Sequence, residues 1–277
     1  MVMTLRQALQ YAERLLSSIS DEPKNEARLA VAQIAGISLG ELHISSKTVD
    51  SSKIDDVFNR RKMGEPLQYI FGKWWFYKSE FFVGPGVLIP RQDTELLVET
   101  GLELIKNIKA PAVADLCSGS GCIAISIAAE RTDAQVSAIE KYDEAVCYLN
   151  KNIQHNYTDN VTSVTADVLE KPFGSYDLIL CNPPYIPLSE KSELSREVLN
   201  EPHTALFGGD DGLCFYRSVS QNWKSTLKGG GYLAFEVGIK EADAVCEILK
   251  ANGYRNIGKK NDLLGIERVV YGTPCII

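Results

Sequence analysis

Five short apolar runs, residues 113–117, 135–140, 161–166, 176–181 and 232–237, recur from residue 113 onward in this 277-residue chain, with segments long enough for crossover helices between them. Parallel strands cannot be joined by a tight turn, so this rhythm demands a parallel sheet covered on both faces. The ending breaks the rhythm. Residues 256–260 and 267–271 are separated by a short loop containing Gly265, too short for a crossover, so an antiparallel strand closes the sheet. The predicted class is α/β: a Rossmann-like sheet with a C-terminal antiparallel strand, preceded by a small N-terminal helix bundle.

That bundle occupies residues 1–64. Thr4 can cap a helix with Gln7 at its third position, placing Leu5, Ala8, Leu9, Ala12, Leu15 and Leu16 on one face. A second helix over 25–35 carries Ala27, Ala30, Val31 and Ile34 and stops at Gly36; a third opens at Ser52 with Asp55 and carries Ile54, Val57 and Phe58. No β signal is present, and the lone His43 among apolar neighbours has no ionisable cluster around it. A unit without chemistry of its own is expected to touch a partner, so 1–64 reads as a substrate-recognition domain. Gly64-Glu65-Pro66 ends the helical pattern, and the aromatic and β-branched stretch 67–83 around Gly72 predicts a hairpin, making 65–92 a linker. The main domain, 93–277, starts with a helix capped by Asp93 or Thr94.

Charge and cysteine usage narrow the function. With 36 acidic against 29 basic residues the net charge is −7, which offers no cationic field for a phosphate backbone, so direct nucleic-acid binding is not expected. The first 20 residues lack signal-peptide character and no apolar run approaches a membrane span, so neither membrane association nor export is expected. Seven cysteines show no C-x-x-C pair or zinc spacing. Reduced thiols in a cytoplasm and no metal are the expectation.

Two constellations carry chemistry. The first run ends in Cys117-Ser118-Gly119-Ser120-Gly121 and passes directly into a helix, a turn where a ligand can lie close to the backbone and meet exposed helix-start amides. Glu140, at the tip of the second run, can accept from both hydroxyls of a ribose; Asp167, just past the third, with the main chain of Val168, can receive an adenine amino group. These tips converge on the crevice where such sheets bind ligands. An adenosine-containing cofactor is implied, although Gly119 to Ala124 also satisfies the relaxed dinucleotide pattern and leaves NAD open at this point.

The fourth run delivers Asn182-Pro183-Pro184-Tyr185. Two prolines fix two φ angles and remove two donors, so the turn offers oxygen atoms. The Asn182 side chain and the Pro183 carbonyl can hold the two N–H bonds of an amide or amino group and turn its lone pair toward a methyl group on the cofactor, with Tyr185 as a flat wall. Methyl transfer from a sulfonium needs alignment above all, and neither a nucleophilic side chain nor a strong base.

Together with residues 66–72, 87–95 and the Glu201-Pro202, Ala205-Leu206 and Gly208-Gly209 set, these motifs resemble the HemK/PrmC family of peptide chain release factor glutamine methyltransferases, a branch of the class I S-adenosylmethionine-dependent enzymes. The resemblance spans essentially the whole chain. It implies N5-methylation of the glutamine in the Gly-Gly-Gln loop of release factors, with S-adenosylhomocysteine as product. It also implies that Cys117, Ser118, Gly119, Ser120 and Gly121 surround the methionine part of the cofactor, that Glu140 holds the ribose and Asp167 with Val168 the adenine, and that Asn182, Pro183, Pro184 and Tyr185 grip the glutamine amide, Asn182 bordering the cofactor as well. Two positions depart from the family: Cys117 stands where glycine is usual, and Glu140 where aspartate is. An enzyme methylating adenine N6 or guanine N2 is the alternative, since such enzymes use the same tetrapeptide; the acidic balance argues against it.

Overall fold

The structure, a computed structural model, describes residues 1–275. Its contacts divide into two compact units, Met1–Gly72 with Ser195–Asn200, and Lys73–Leu194 with Glu201–Ile277.

The first unit contains β1 (Val2–Thr4), α1 (Leu5–Leu16), α2 (Pro23–Ala35), β2 (Thr48–Asp50), α3 (Ser51–Lys62) and α4 (Leu67–Phe71). Thr4 forms the expected capping box with Gln7, and Gly36 closes α2 with a left-handed φ of 60°. Three local expectations change. Asp50 rather than Ser52 caps α3, its carboxylate accepting from the Ser52 amide at 3.1 Å. A two-stranded antiparallel ribbon, β1 with β2, appears where no β signal exists, and the N-terminal ammonium ties it off on Asp50 Oδ1 at 3.2 Å. Finally, residues 67–71 are helical. The Pro66 carbonyl accepts from Tyr69 and Ile70, Gly72 stops the turn at φ 71°, and burial of Leu67 and Tyr69 outweighs the β preference of the aromatics.

The hairpin is therefore confined to β3 (Lys73–Phe76) and β4 (Ser79–Phe82) of the second unit. Then come α5 (Glu95–Leu104), β5 (Ala112–Leu116), α6 (Cys122–Glu130), β6 (Gln135–Glu140), α7 (Asp143–His155), β7 (Val161–Thr165) and β8 (Tyr176–Cys181). The chain next forms α8 (Arg196–Leu199), which counts with the first unit, then α9 (His203–Leu206), α10 (Cys214–Asn222), β9 (Leu227–Glu236), α11 (Ala242–Ala251), β10 (Tyr254–Asn261) and β11 (Glu267–Pro274). Within the first unit, Glu197 of α8 pairs with buried Arg61, which also holds Glu26 at 2.9 Å, and Asn200 donates to the Gly64 carbonyl at 3.1 Å.

Seven strands form one sheet in the order β10-β11-β9-β8-β5-β6-β7, parallel from β9 through β7, with β11 antiparallel to both neighbours. The closing antiparallel strand is as expected. The link between β7 and β8 carries no helix, only a turn at Asp167 to Glu170. Alternate residues of each strand feed opposite faces: Leu178 and Leu180 join the core with Leu97, Ile125 and Leu149, whereas Ile179 and Cys181 join Tyr216, Trp223 and Phe235. Because β5, β6, β7 and β8 run parallel, their C-terminal tips lie along one rim.

Candidate active site

The loop after β5 is built around a buried carboxylate. Asp115 Oδ2 accepts from Ser118 Oγ at 2.8 Å and from the Ala124 amide at 3.1 Å, while the Ser118 amide donates to the Ile139 carbonyl at 3.0 Å. Burial, only partly offset by these hydrogen bonds, pushes the Asp115 carboxyl up to about 7. Cys117 takes a left-handed φ of 60° and Gly119 one of 52°. A Cβ on Gly119 would meet no atom within 4 Å, so the bare backbone there borders open space.

Glu140 clamps that loop. Its Oε2 accepts from the Gly119 amide at 2.8 Å, and its Oε1 from the amides of Lys141 and Tyr142 at 2.8 and 3.0 Å. At the next tip, Asp167 Oδ1 accepts from the Leu169 amide at 2.9 Å and Oδ2 meets Lys141 Nζ at 2.8 Å. Burial opposes ionisation of Asp167, but the Lys141 ammonium prevails and its carboxyl lies below the usual value.

These groups border a cavity of about 170 Å³. Cys117, Gly119, Glu140, Asp167, Val168, Asn182 and Pro184 reach it, along with Ile139, Leu169 and Phe215. Ser118 and Ser120 are buried beneath the loop, and Gly121 opens α6 at φ 82°. Carboxylates, apolar side chains and a backbone without side chain in one lining fit an adenosine sulfonium: carboxylates for hydroxyl groups, apolar surface for a base.

Asn182 follows β8 directly, and its Nδ2 donates to Thr94 Oγ1 at 3.2 Å. Thr94 is fully buried at the start of α5 and gives that helix no side-chain cap, so its hydroxyl serves the site instead. The tetrapeptide is held from behind. Ile186 exchanges backbone hydrogen bonds with Leu206 and Gly208, at 2.9 and 3.0 Å, and a Cβ on Gly208 would stand 2.5 Å from the Pro184 carbonyl. That explains the glycine in the sequence motif. Tyr185 is half-buried against the core, and burial raises its phenol above the ordinary range. The motif around Arg91 has a structural partner as well: Arg91 pairs with buried Glu201, whose other oxygen accepts from the Ile89 amide at 2.9 Å. Sequence reasoning missed Thr94 as an Asn182 partner, the loop role of Asp115, and Phe215 in the wall. No cluster of potential metal ligands exists among the described residues, and no described helix is long and apolar enough to cross a membrane.

Two family models match the chain: the PrmC N-terminal domain over residues 7–72 and the methyltransferase small domain over 92–212. Among curated proteins, the release factor glutamine methyltransferase of Thermodesulfovibrio yellowstonii is 38% identical over 253 residues, 88% of this chain and 90% of that protein. The Salmonella typhimurium protein of that name is 32% identical, covering 92% and 94%, and the Fusobacterium nucleatum one 39% identical, covering 83% of this chain and 66% of its own length. Among solved structures, the hMettl16 catalytic domain in complex with a hairpin of the MAT2A 3'UTR aligns at TM-score 0.58 with 15% identity, over 92% of this chain and 82% of that one. A methyltransferase from Pyrococcus furiosus aligns at 0.52 with 17%, over 82% and 99%. At such identities these two establish the fold alone.

Proposed function

Because the chain belongs to the release factor glutamine methyltransferases, we propose that its acceptor is the glutamine side-chain amide of a Gly-Gly-Gln loop in a peptide chain release factor, methylated at N5. The enzyme is an S-adenosylmethionine-dependent methyltransferase. When bound, S-adenosylmethionine supplies an electrophilic methyl group and leaves as S-adenosylhomocysteine.

The observation that carries this reading is the placement of Asn182, which borders the same cavity as Gly119 and Glu140 while its Nδ2 is engaged by Thr94. With the amide nitrogen so occupied, Oδ1 is the atom left to accept from an incoming N–H. The Pro183 carbonyl takes the second N–H, and Tyr185 walls the planar group. Glu140 would accept from the ribose hydroxyls, Asp167 and the Val168 main chain would meet the adenine, and residues 117–121 would flank the methionine portion. Ser118, Ser120 and Gly121 act by shaping the turn. Alignment is the main catalytic device, and oriented reactants can contribute about 7–11 kcal/mol.

Residues 1–64, with 65–92 as linker to the 93–277 domain, and the segment 186–212 hold the release factor in this reading. It is supported by the grouping of Ser195–Asn200 with Met1–Gly72 in one compact unit. Seven free cysteines accord with a cytoplasmic setting, where release factors work. The test is incubation with methyl-labelled S-adenosylmethionine and, in parallel, purified release factors, DNA and tRNA. Label on the loop glutamine of a release factor is expected. Label on adenine or guanine instead would replace this function by a nucleic-acid amino methyltransferase.

A further inference from the structure

Glu236 ends β9 beside the strand that delivers Asn182: Cys181 pairs with Phe235 in the parallel register, so Asn182 and Glu236 leave adjacent strands at the same level. Its side chain is buried, 2% exposed, and its Oε2 has no hydrogen-bond partner. A buried carboxylate oxygen without a donor is costly and calls for an explanation. Thr94 and Asn182 are the neutral polar side chains near it that favour its ionised form. Thr94 already accepts from Asn182 Nδ2, so its own proton is free to point at Glu236.

We propose that Glu236 is a positioning residue that fixes the orientation of the Asn182 amide through Thr94. An ionised carboxylate can only accept. Thr94 must then donate to it and turn its lone pairs toward Asn182, and Asn182 must present NH2 rather than oxygen to Thr94. The amide is thereby locked with Oδ1 facing the acceptor nitrogen. Without a carboxylate at the end of the chain, both amide orientations satisfy Thr94 and half of the wall's acceptor function is lost. This inference rests on the role given to Asn182 above.

Burial pushes the Glu236 carboxyl up to about 7, so the lock engages as pH rises through neutrality. Asp93 faces it from the turn before α5 and Arg268 from β11, with Cys181, Tyr185, Tyr216 and Cys122 as the other titratable neighbours.

The test compares wild type with E236Q and E236L in two ways. In cofactor-free protein, the Asn182 side-chain NH2 resonances, assigned by their loss in N182D, are expected to shift in both variants and to titrate near pH 7 only in wild type. In turnover, kcat is expected to fall about tenfold or more with KM and cofactor affinity held within about threefold, and the rise of kcat with pH to vanish in E236Q. Unchanged Asn182 resonances, or kcat and cofactor affinity falling together, would overturn the proposal. The resonances need no substrate, so they judge Glu236 even if wild type transfers nothing to a release factor, a result that would count against the acceptor assignment alone.

Discussion

The Asn182 side chain donates to the Thr94 hydroxyl at 3.2 Å, across 88 positions of sequence. Thr94 thereby gives up the capping role that its place at the head of α5 would otherwise assign it. Helix start and tetrapeptide are one hydrogen-bonded unit.

Thr94→Val keeps the shape and removes the acceptor. We expect kcat to drop about tenfold, the value of one net hydrogen bond in a buried site, with cofactor affinity from calorimetry unchanged. A parallel loss of both would mean that Thr94 only supports packing.

Asn182→Ala removes the oxygen proposed to face the acceptor nitrogen. Transition-state donors and acceptors of this kind are worth about 10²–10³ in kcat. Cofactor dissociation, measured by calorimetry, is expected to change by no more than about threefold.

Gly208→Ala tests the backing of the tetrapeptide. The new methyl would collide with the carbonyls of Pro184 and Gly212, each 2.5 Å away, and neither backbone can yield as a flexible side chain does. Thermal denaturation should show a loss of about 1–3 kcal/mol, and turnover should fall beyond what residual folding explains.

Asp115 makes stability depend on pH in an unusual direction. Its folded value of about 7 lies above that of an unfolded aspartate, so the folded state holds the proton more tightly. The corresponding stability is fully present below the unfolded value and is lost as pH rises through about 7. Asp115→Asn, which can still accept from Ser118 and Ala124, should flatten the fall in unfolding free energy between pH 4 and 8 by on the order of 2–4 kcal/mol. An equally steep fall in the variant would assign it to other carboxyls, such as Glu241, which burial raises to about 7 as well.

Arg61→Ala leaves Glu26 and Glu197 without their shared cation. Both carboxylates keep access to water, so the loss is that of charge-assisted hydrogen bonds and of the buried arginine's packing, about 1–3 kcal/mol in the first unit, seen as early loss of amide protection there.

The placement of the expected site residues was legible beforehand from pattern. Gly119, Glu140, Asp167 and Asn182 each sit at a strand tip, and strand tips can be read from apolar runs. What stayed hidden has no local signature. Thr94 looks like an ordinary helix cap, Glu236 sits unremarked inside the apolar run 232–237, and Arg91 finds Glu201 only through the closed fold. The same holds for α4: its aromatics read as strand, and only Pro66 and Gly72 at its ends, with Leu67 and Tyr69 turned inward, make a single helical turn the better solution. β1 and β2, three residues each, are too short for any period to show.

Because Ser195–Asn200 belongs to the first unit, the polypeptide visits that unit twice, once at its start and again just after the tetrapeptide. A cut at the Gly72–Lys73 junction would therefore leave two fragments stapled by Arg61 to Glu197 and Gly64 to Asn200. A single crossover cannot transplant this unit whole: a homologue's N-terminal region would arrive without the return stretch that completes it.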